Sequence, residues 1–253
     1  MSSLSLSSWV MAALGYPDQA HAQIRDSLLE AKQSGHLFSQ AYAKAVALLA
    51  LYWLGETEMM LRLGDDAIGY ATEHGILYYV AFAGICQGWA RTRSGELAAG
   101  IEQMRAGIAG MSAAGATLLL PKHHVMLAEG LIEAGALEEA SLLLEQALAH
   151  AERSGERESE ADVHRIHARL CLARDPADHT TAEEDLDRAL NVARSQEARL
   201  PALLAAMALA RLWADLGKAD AARDMLAGHL GWFTEGFGAP TLVAAREFLA
   251  GLG

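Results

Sequence analysis

The sequence predicts an all-α protein built as a stack of helical hairpins. Two patterns and one bulk property lead there. Glycines recur every twenty residues, at Gly15, Gly35, Gly55, Gly75, Gly95, Gly115, Gly135 and Gly155. Glycine leaves a helix through a left-handed turn at little steric cost, so each interval holds one helix of about sixteen residues and a short turn. Within the intervals, apolar or small residues recur every three to four positions and mark one buried face per helix. With 253 residues, 52% hydrophobic and 21% charged, the chain can bury a continuous core and is too apolar to be disordered.

The turns alternate in kind. Polar or acidic helix starts follow Gly15, Gly55, Gly95, Gly135 and Gly217, as in GYPDQA, GETEMM and GALEEA. Those turns lie inside a hairpin. GHLFSQ, GILYYV, GATLLL and GERESE, after Gly35, Gly75, Gly115 and Gly155, begin new hairpins, so the full repeat is forty residues. Hairpins are predicted at about 1–35, 36–75, 76–115, 116–155, 156–197 and 198–237, forming one domain over 1–253. The second helices carry matching faces: Ala20, Ile24, Leu28 and Ala31 in the first, Ala140, Leu144, Leu148 and Ala151 in the fourth. In the fifth, Ala182, Leu186, Leu190 and Ala193 come 42 residues later, so two residues are inserted in ARDPADHTT, where a longer, mobile loop is expected. A last helix at 240–252, with Leu242, Ala245, Leu249 and Leu252 on one face, is expected to cap the stack. The first helix, Leu4 to Leu14, has no such cap, and a lost covalent neighbour or a partner subunit is expected to cover it.

Charge and cysteine usage narrow the partners. The formal charge of −12 argues against nucleic acid. Cys86 and Cys171 are lone thiols in apolar helical patterns, which fits a reducing cytoplasm. The opening MSSLSLSSWVMAALGYPDQA lacks the basic region of an export signal. The longest apolar run, Ala41 to Leu54, contains Lys44 and is shorter than the roughly 20 residues of a membrane span, so it reads as a buried helix.

The G-x-x-x-x-A signature of Gly15 to Ala20, Gly135 to Ala140 and Gly217 to Ala222 resembles the tetratricopeptide repeat, as do the small residues Gly88, Ala128, Ala168 and Ala210 in first helices. Its period of forty exceeds the usual 34 of that repeat, as in longer hairpins of large bacterial regulators. LGYPDQA, EADVHRIHARLCLA, LARLWADLGKADAARDML and GWFTEGFGAPTL resemble the C-terminal repeat region of bacterial multidomain proteins. In those, a class III adenylate/guanylate cyclase domain or a DNA-binding domain precedes a STAND-type P-loop ATPase. The resemblance implies a right-handed α-solenoid of about six hairpins serving as a cytoplasmic regulatory or sensor arm in signalling. No G-x-x-x-x-G-K-[ST] occurs, so neither ATPase nor cyclase activity is carried over.

In tetratricopeptide stacks the first helices line a concave groove. Transferring those positions gives Trp9, Tyr42, Leu49, Tyr52, Phe82 and Trp89 in the N-terminal half, and Lys122, Glu129, Asp162, Arg165, Arg169 and Arg211 in the C-terminal half. One end offers aromatic surface and the other pairs with carboxylates, so an acidic, apolar peptide or partner helix is the expected ligand. Alternatives are a metabolite in the same groove, self-association into a homodimer through the uncapped first hairpin, or aromatics that are simply core packing.

His123, His124, His164 and His167 lie on two consecutive first helices, and a zinc ion could bridge His124 and His164. No thiol or carboxylate is evidently poised beside them, so no metal or other cofactor is expected. Glu56, Glu58, Glu138, Glu139, Glu183 and Glu184 sit mostly at helix starts, where they complement the dipole, and no G-x-S-x-G appears. The chain reads as a non-enzyme. Gly64, Gly69, Gly100, Gly107 and Gly110 fall inside second helices, where they mark either close helix contact or a site of bending around the third hairpin.

Overall fold

The computed structural model describes residues 2–252, and these form thirteen α-helices with no strand. They are α1 (Ser2–Leu14), α2 (Pro17–Ser34), α3 (Leu37–Leu54), α4 (Thr57–Glu73), α5 (Leu77–Arg93), α6 (Leu97–Ala113), α7 (Leu120–Glu133), α8 (Leu137–Ser154), α9 (Glu160–Arg174), α10 (His179–Ser195), α11 (Arg199–Asp215), α12 (Ala219–Leu230) and α13 (Pro240–Gly251). The eight lattice glycines all have positive φ, the conformation in which a residue without Cβ is unstrained. Prolines stand in the first turns of α2, α7 and α13, where the missing N–H has no helical partner to lose. At position 197 the left-handed turn is made by Glu197 (φ 56°), which costs on the order of 1 kcal/mol relative to glycine.

Consecutive helices pack as hairpins, and each odd-numbered helix from α1 to α11 also packs on the next odd-numbered one. Ala20, Ile24, Ala140, Leu144, Ala182 and Leu186 are all buried, because the repeating face of each second helix lies on the first helices. Helix α3 is, among the described residues, the one long and apolar enough to cross a membrane by length and composition. Here 67% of it is buried inside the protein, with Leu48, Leu51, Trp53 and Leu54 in the core.

The series of helices returns on itself. Helix α11 packs on α1 and α3, and α13 packs on α3, α11 and α12. The first hairpin therefore does not lack a neighbour, as its short sequence suggested; the C-terminal segment covers it. Trp232 lies 5.6 Å from Tyr16, and Gly15 sits so tightly under Trp232 and Phe233 that a Cβ there would come within 2.8–2.9 Å of both. Glu235 accepts from the Gln19 backbone N–H (3.1 Å) and side-chain amide (3.0 Å), and the Gly236 N–H donates to Asp18 (3.0 Å). Thr241 Oγ1 donates to the Trp53 carbonyl at 3.0 Å. Helix α13 is thus an inward plug between the two ends of the chain rather than a lid on one of them.

The inserted segment is one or two residues longer than the glycine turns inside the other hairpins, as expected, and it is braced. Residues 175–178 join α9 to α10; Asp175 accepts from the Ala177 N–H (3.0 Å), and Asp178 caps α10 by accepting from the Thr181 N–H (3.2 Å). Two side chains thereby replace the glycine turn.

The interior glycines divide. A Cβ on Gly100 would lie 2.4 Å from the Gly88 carbonyl oxygen, and one on Gly107 would lie 2.7 Å from that of Ala81, so α5 and α6 approach backbone to backbone. Gly69 faces open space. Gly69→Ala is expected to stabilise the fold by about 0.5–1 kcal/mol through helix propensity. Gly100→Ala is expected to destabilise it by about 1–3 kcal/mol by forcing α5 and α6 apart. Urea denaturation midpoints check both; equal effects would contradict the close approach.

Candidate functional site

The forty-residue period places equivalent positions of neighbouring first helices side by side. Trp89 Nε1 donates to Glu129 (2.8 Å), Lys122 to Asp162 (3.0 Å) and Arg169 to Glu129 (2.8 Å), and Arg93 pairs with Glu133; the partners are forty residues apart in every case. A polar ladder therefore runs across α5, α7 and α9.

Its most buried rung is Lys122, with 0% exposure. An isolated ammonium there would cost several kcal/mol or lose its proton. Lys122 Nζ instead lies 3.0 Å from both Glu158 and Asp162, and over the rings of Trp53 (3.8 Å) and Tyr52 (5.0 Å). Asp162 also accepts from Arg165 (3.0 and 3.1 Å) and from the Tyr52 hydroxyl (3.3 Å). Burial acts to raise the Asp162 carboxyl, but the Lys122 and Arg165 charges outweigh it and hold it below its usual range. Glu129 follows the same logic: burial opposes ionisation, and Arg165, Arg169 and the Trp89 N–H overcome it. Burial and the Asp162 and Glu129 charges push the Tyr52 phenol well up, so it stays a donor.

Beside the ladder lies a cavity of about 730 Å³. The ladder and α3 form one wall, α9 and the start of α10 a second, and α11 and α13 close the far side. Leu172, Leu186, Leu204, Met207 and Ala244 supply apolar surface. The lining holds Arg93, Arg165, Arg169 and Arg211 with two acidic residues, Glu129 and Asp215, and the first three arginines are already paired with Glu133, Asp162 and Glu129. Arg211 is exposed and has a ring contact with Phe248 (5.4 Å) but no carboxylate partner among the described residues. His179, in the lining, has its Nδ1 buried without a partner.

Of the twelve positions transferred from the repeat, six line the cavity: Tyr52, Trp89, Glu129, Arg165, Arg169 and Arg211. Leu49, Phe82, Lys122 and Asp162 are buried within the protein, since the inner face of a closely packed first helix turns partly into its neighbours. Trp9 and Tyr42 are half-buried outside the cavity; Tyr42 lies 6.4 Å from the Tyr79 ring. Arg93 and Glu133 were missed, although opposite charges forty residues apart were a readable signal. The α11 and α13 walls had no local signal, because closure is set by the curvature of the whole stack.

The histidines separate as well. His123 is buried against Phe82 (5.1 Å) with neither ring nitrogen partnered, and His124 lies near His150. His164 and His167 turn instead to Asp185 on α10, where Cys171 joins them. A thiol and a carboxylate are therefore poised at this pair, which the sequence did not reveal.

Burial, and then the neighbouring His124 and Lys122, lower the His123 pKa to about 3 from the ordinary 6.5. Burial, and then His150, lower that of His124 to about 4. Depressed imidazoles bind protons more readily in the unfolded chain, so their contribution is complete above pH 6.5 and is lost as pH falls from there towards 4 and 3. Denaturation midpoints should decline over that window, and His123→Leu should flatten the decline. An unchanged pH profile in that variant would refute the assignment. Compared with known proteins, the chain matches no family model and no curated sequence.

Proposed function

We propose that the chain is a non-catalytic binding module, a right-handed tetratricopeptide-like superhelix whose central cavity takes a small anionic ligand with an apolar body. The carrying observation is the cavity itself: about 730 Å³, closed on its far side by α11 and α13, with Arg211 unpaired beside an apolar wall. Ligand cavities of this kind run from about 300 to 1,000 Å³ and combine apolar surface with a few convergent polar groups. Arginine offers a carboxylate two parallel hydrogen bonds, and Arg211, with no carboxylate partner among the described residues, has both to give. His179 Nδ1 supplies one further polar contact.

A sensor role follows, in keeping with the words resembling the repeat arm of STAND-type signalling ATPases. A ligand that bridges α9 and α11 changes the balance between closed and open arrangements of the stack. The open rim, where Arg93 and Arg169 are partly exposed, favours the second reading, capture of the acidic apolar end of a peptide. Catalysis has little support, since the buried carboxylate of the lining, Glu129, is held by Arg169 and Trp89.

A thermal-shift series of alkyl and aryl carboxylates, each paired with its neutral alcohol, tests the proposal. A carboxylate at a hundred times its Kd should stabilise the protein by about 2.7 kcal/mol, and its alcohol far less. Arg211→Ala should remove most of the shift without altering helicity. A response to acidic peptides alone would favour the second reading, and no response to either class would reject the cavity as a site.

A further inference from the structure

His164, His167 and Cys171 occupy positions i, i+3 and i+7 of α9 and share the face that meets α10. Opposite them on α10 stands Asp185, 3% exposed. His167 Nδ1 lies 2.5 Å from Asp185 Oδ2 and 3.6 Å from Cys171 Sγ, and the nitrogen, sulfur and oxygen all fall within 4.8 Å of one another. The geometry points to a zinc site made by His167, Cys171 and Asp185 on the α9–α10 seam.

The distances carry the argument. In a tetrahedral zinc site an imidazole nitrogen and a thiolate sulfur, at about 2.0–2.1 and 2.3 Å from the metal, are about 3.5 Å apart. The observed N···S separation already has that value. The shorter N···O distance is that of a hydrogen bond, and the carboxylate must withdraw by somewhat less than about 1 Å to form the corresponding edge. Asp185 is oriented for this, since its other oxygen, Oδ1, faces His164 Nδ1 (3.6 Å) and Arg188 (3.5 Å). Such outer partners fix a ligand and leave Oδ2 to the metal. His167 is 39% exposed, so ion and water can reach the fourth position from that side.

Donor chemistry selects the ion. A thiolate with an imidazole favours zinc over magnesium or calcium, which seek oxygen ligands. On binding, the Cys171 thiol gives its proton to solvent, His167 frees Nδ1 by keeping its single remaining proton on Nε2, and thiolate and carboxylate balance the dication. The bound ion would pin α9 to α10 at the end joined by residues 175–178. It would also fix Leu172 and Leu186, next in sequence to two of its ligands, in the cavity wall.

Cobalt(II) titration of the full-length protein, followed by displacement with zinc chloride, tests the site without reference to any cavity ligand. One equivalent of cobalt should give intense tetrahedral bands and a thiolate charge-transfer band, and zinc should abolish both. Cys171→Ser should eliminate the charge-transfer band, and His167→Ala should weaken binding by about 100-fold or more, with helicity preserved in each variant. A weak octahedral spectrum in the parent, or a charge-transfer band that survives Cys171→Ser, would overturn the proposal. So would equal affinity in the parent and His167→Ala.

Discussion

The Asp162 carboxylate is where α3, α7 and α9 are tied together. It receives the Lys122 ammonium from α7, the Arg165 guanidinium from its own helix and the Tyr52 hydroxyl from α3. A fully buried lysine is tolerable only while its counter-charges stay in place, because removing one partner of a buried pair costs about 3–5 kcal/mol. Three first helices are thus held at one spacing and register. From that register follow the second rung, in which Trp89 and Arg169 meet on Glu129, and the outer rung of Arg93 and Glu133. The ladder that fixes the helices also sets arginine guanidinium groups along one wall of the cavity.

Closure supplies the other walls. A linear stack would leave the same arginines along a groove with no facing wall. Here α11 reaches α1 and α3, and α13 fills the gap between α3, α11 and α12. The seam is specific: aromatic contact of Trp232 with Tyr16, paired hydrogen bonds between Gln19 and Glu235, and the Thr241 hydroxyl on the last turn of α3. Glycines at 15 and 236 admit the close approach, since a Cβ on Gly236 would lie 2.3 Å from Pro17. Sequence-distant ends become mutual neighbours, and the space between them becomes a cavity with an open rim.

Much of this was legible in the sequence, and the boundary has a physical basis. The glycine lattice marks left-handed helix exits because that preference is local, and eight positions with positive φ follow it. The buried faces of the second helices were legible for the same reason. Half of the transferred first-helix positions reach the cavity, since periodicity fixes which face points inward but not how deeply neighbours cover it; Lys122 and Asp162 are therefore interior where groove-lining positions were expected. Closure was illegible because it depends on small rotations summed over successive hairpins. The His167, Cys171 and Asp185 cluster was hidden because Asp185 stands on the following helix, and its register against α9 is fixed only by packing.

The proposed binding cavity requires that the chain ends meet in solution, and a distance measurement tests this directly. Spin labels at the exposed Asp26 of α2 and Thr234 of the C-terminal segment, in a Cys171→Ser background with Cys86 left buried, report the closure by double electron–electron resonance. The account predicts one narrow, short distance that persists without ligand. A broad distribution extending to the span of an open superhelix would contradict it.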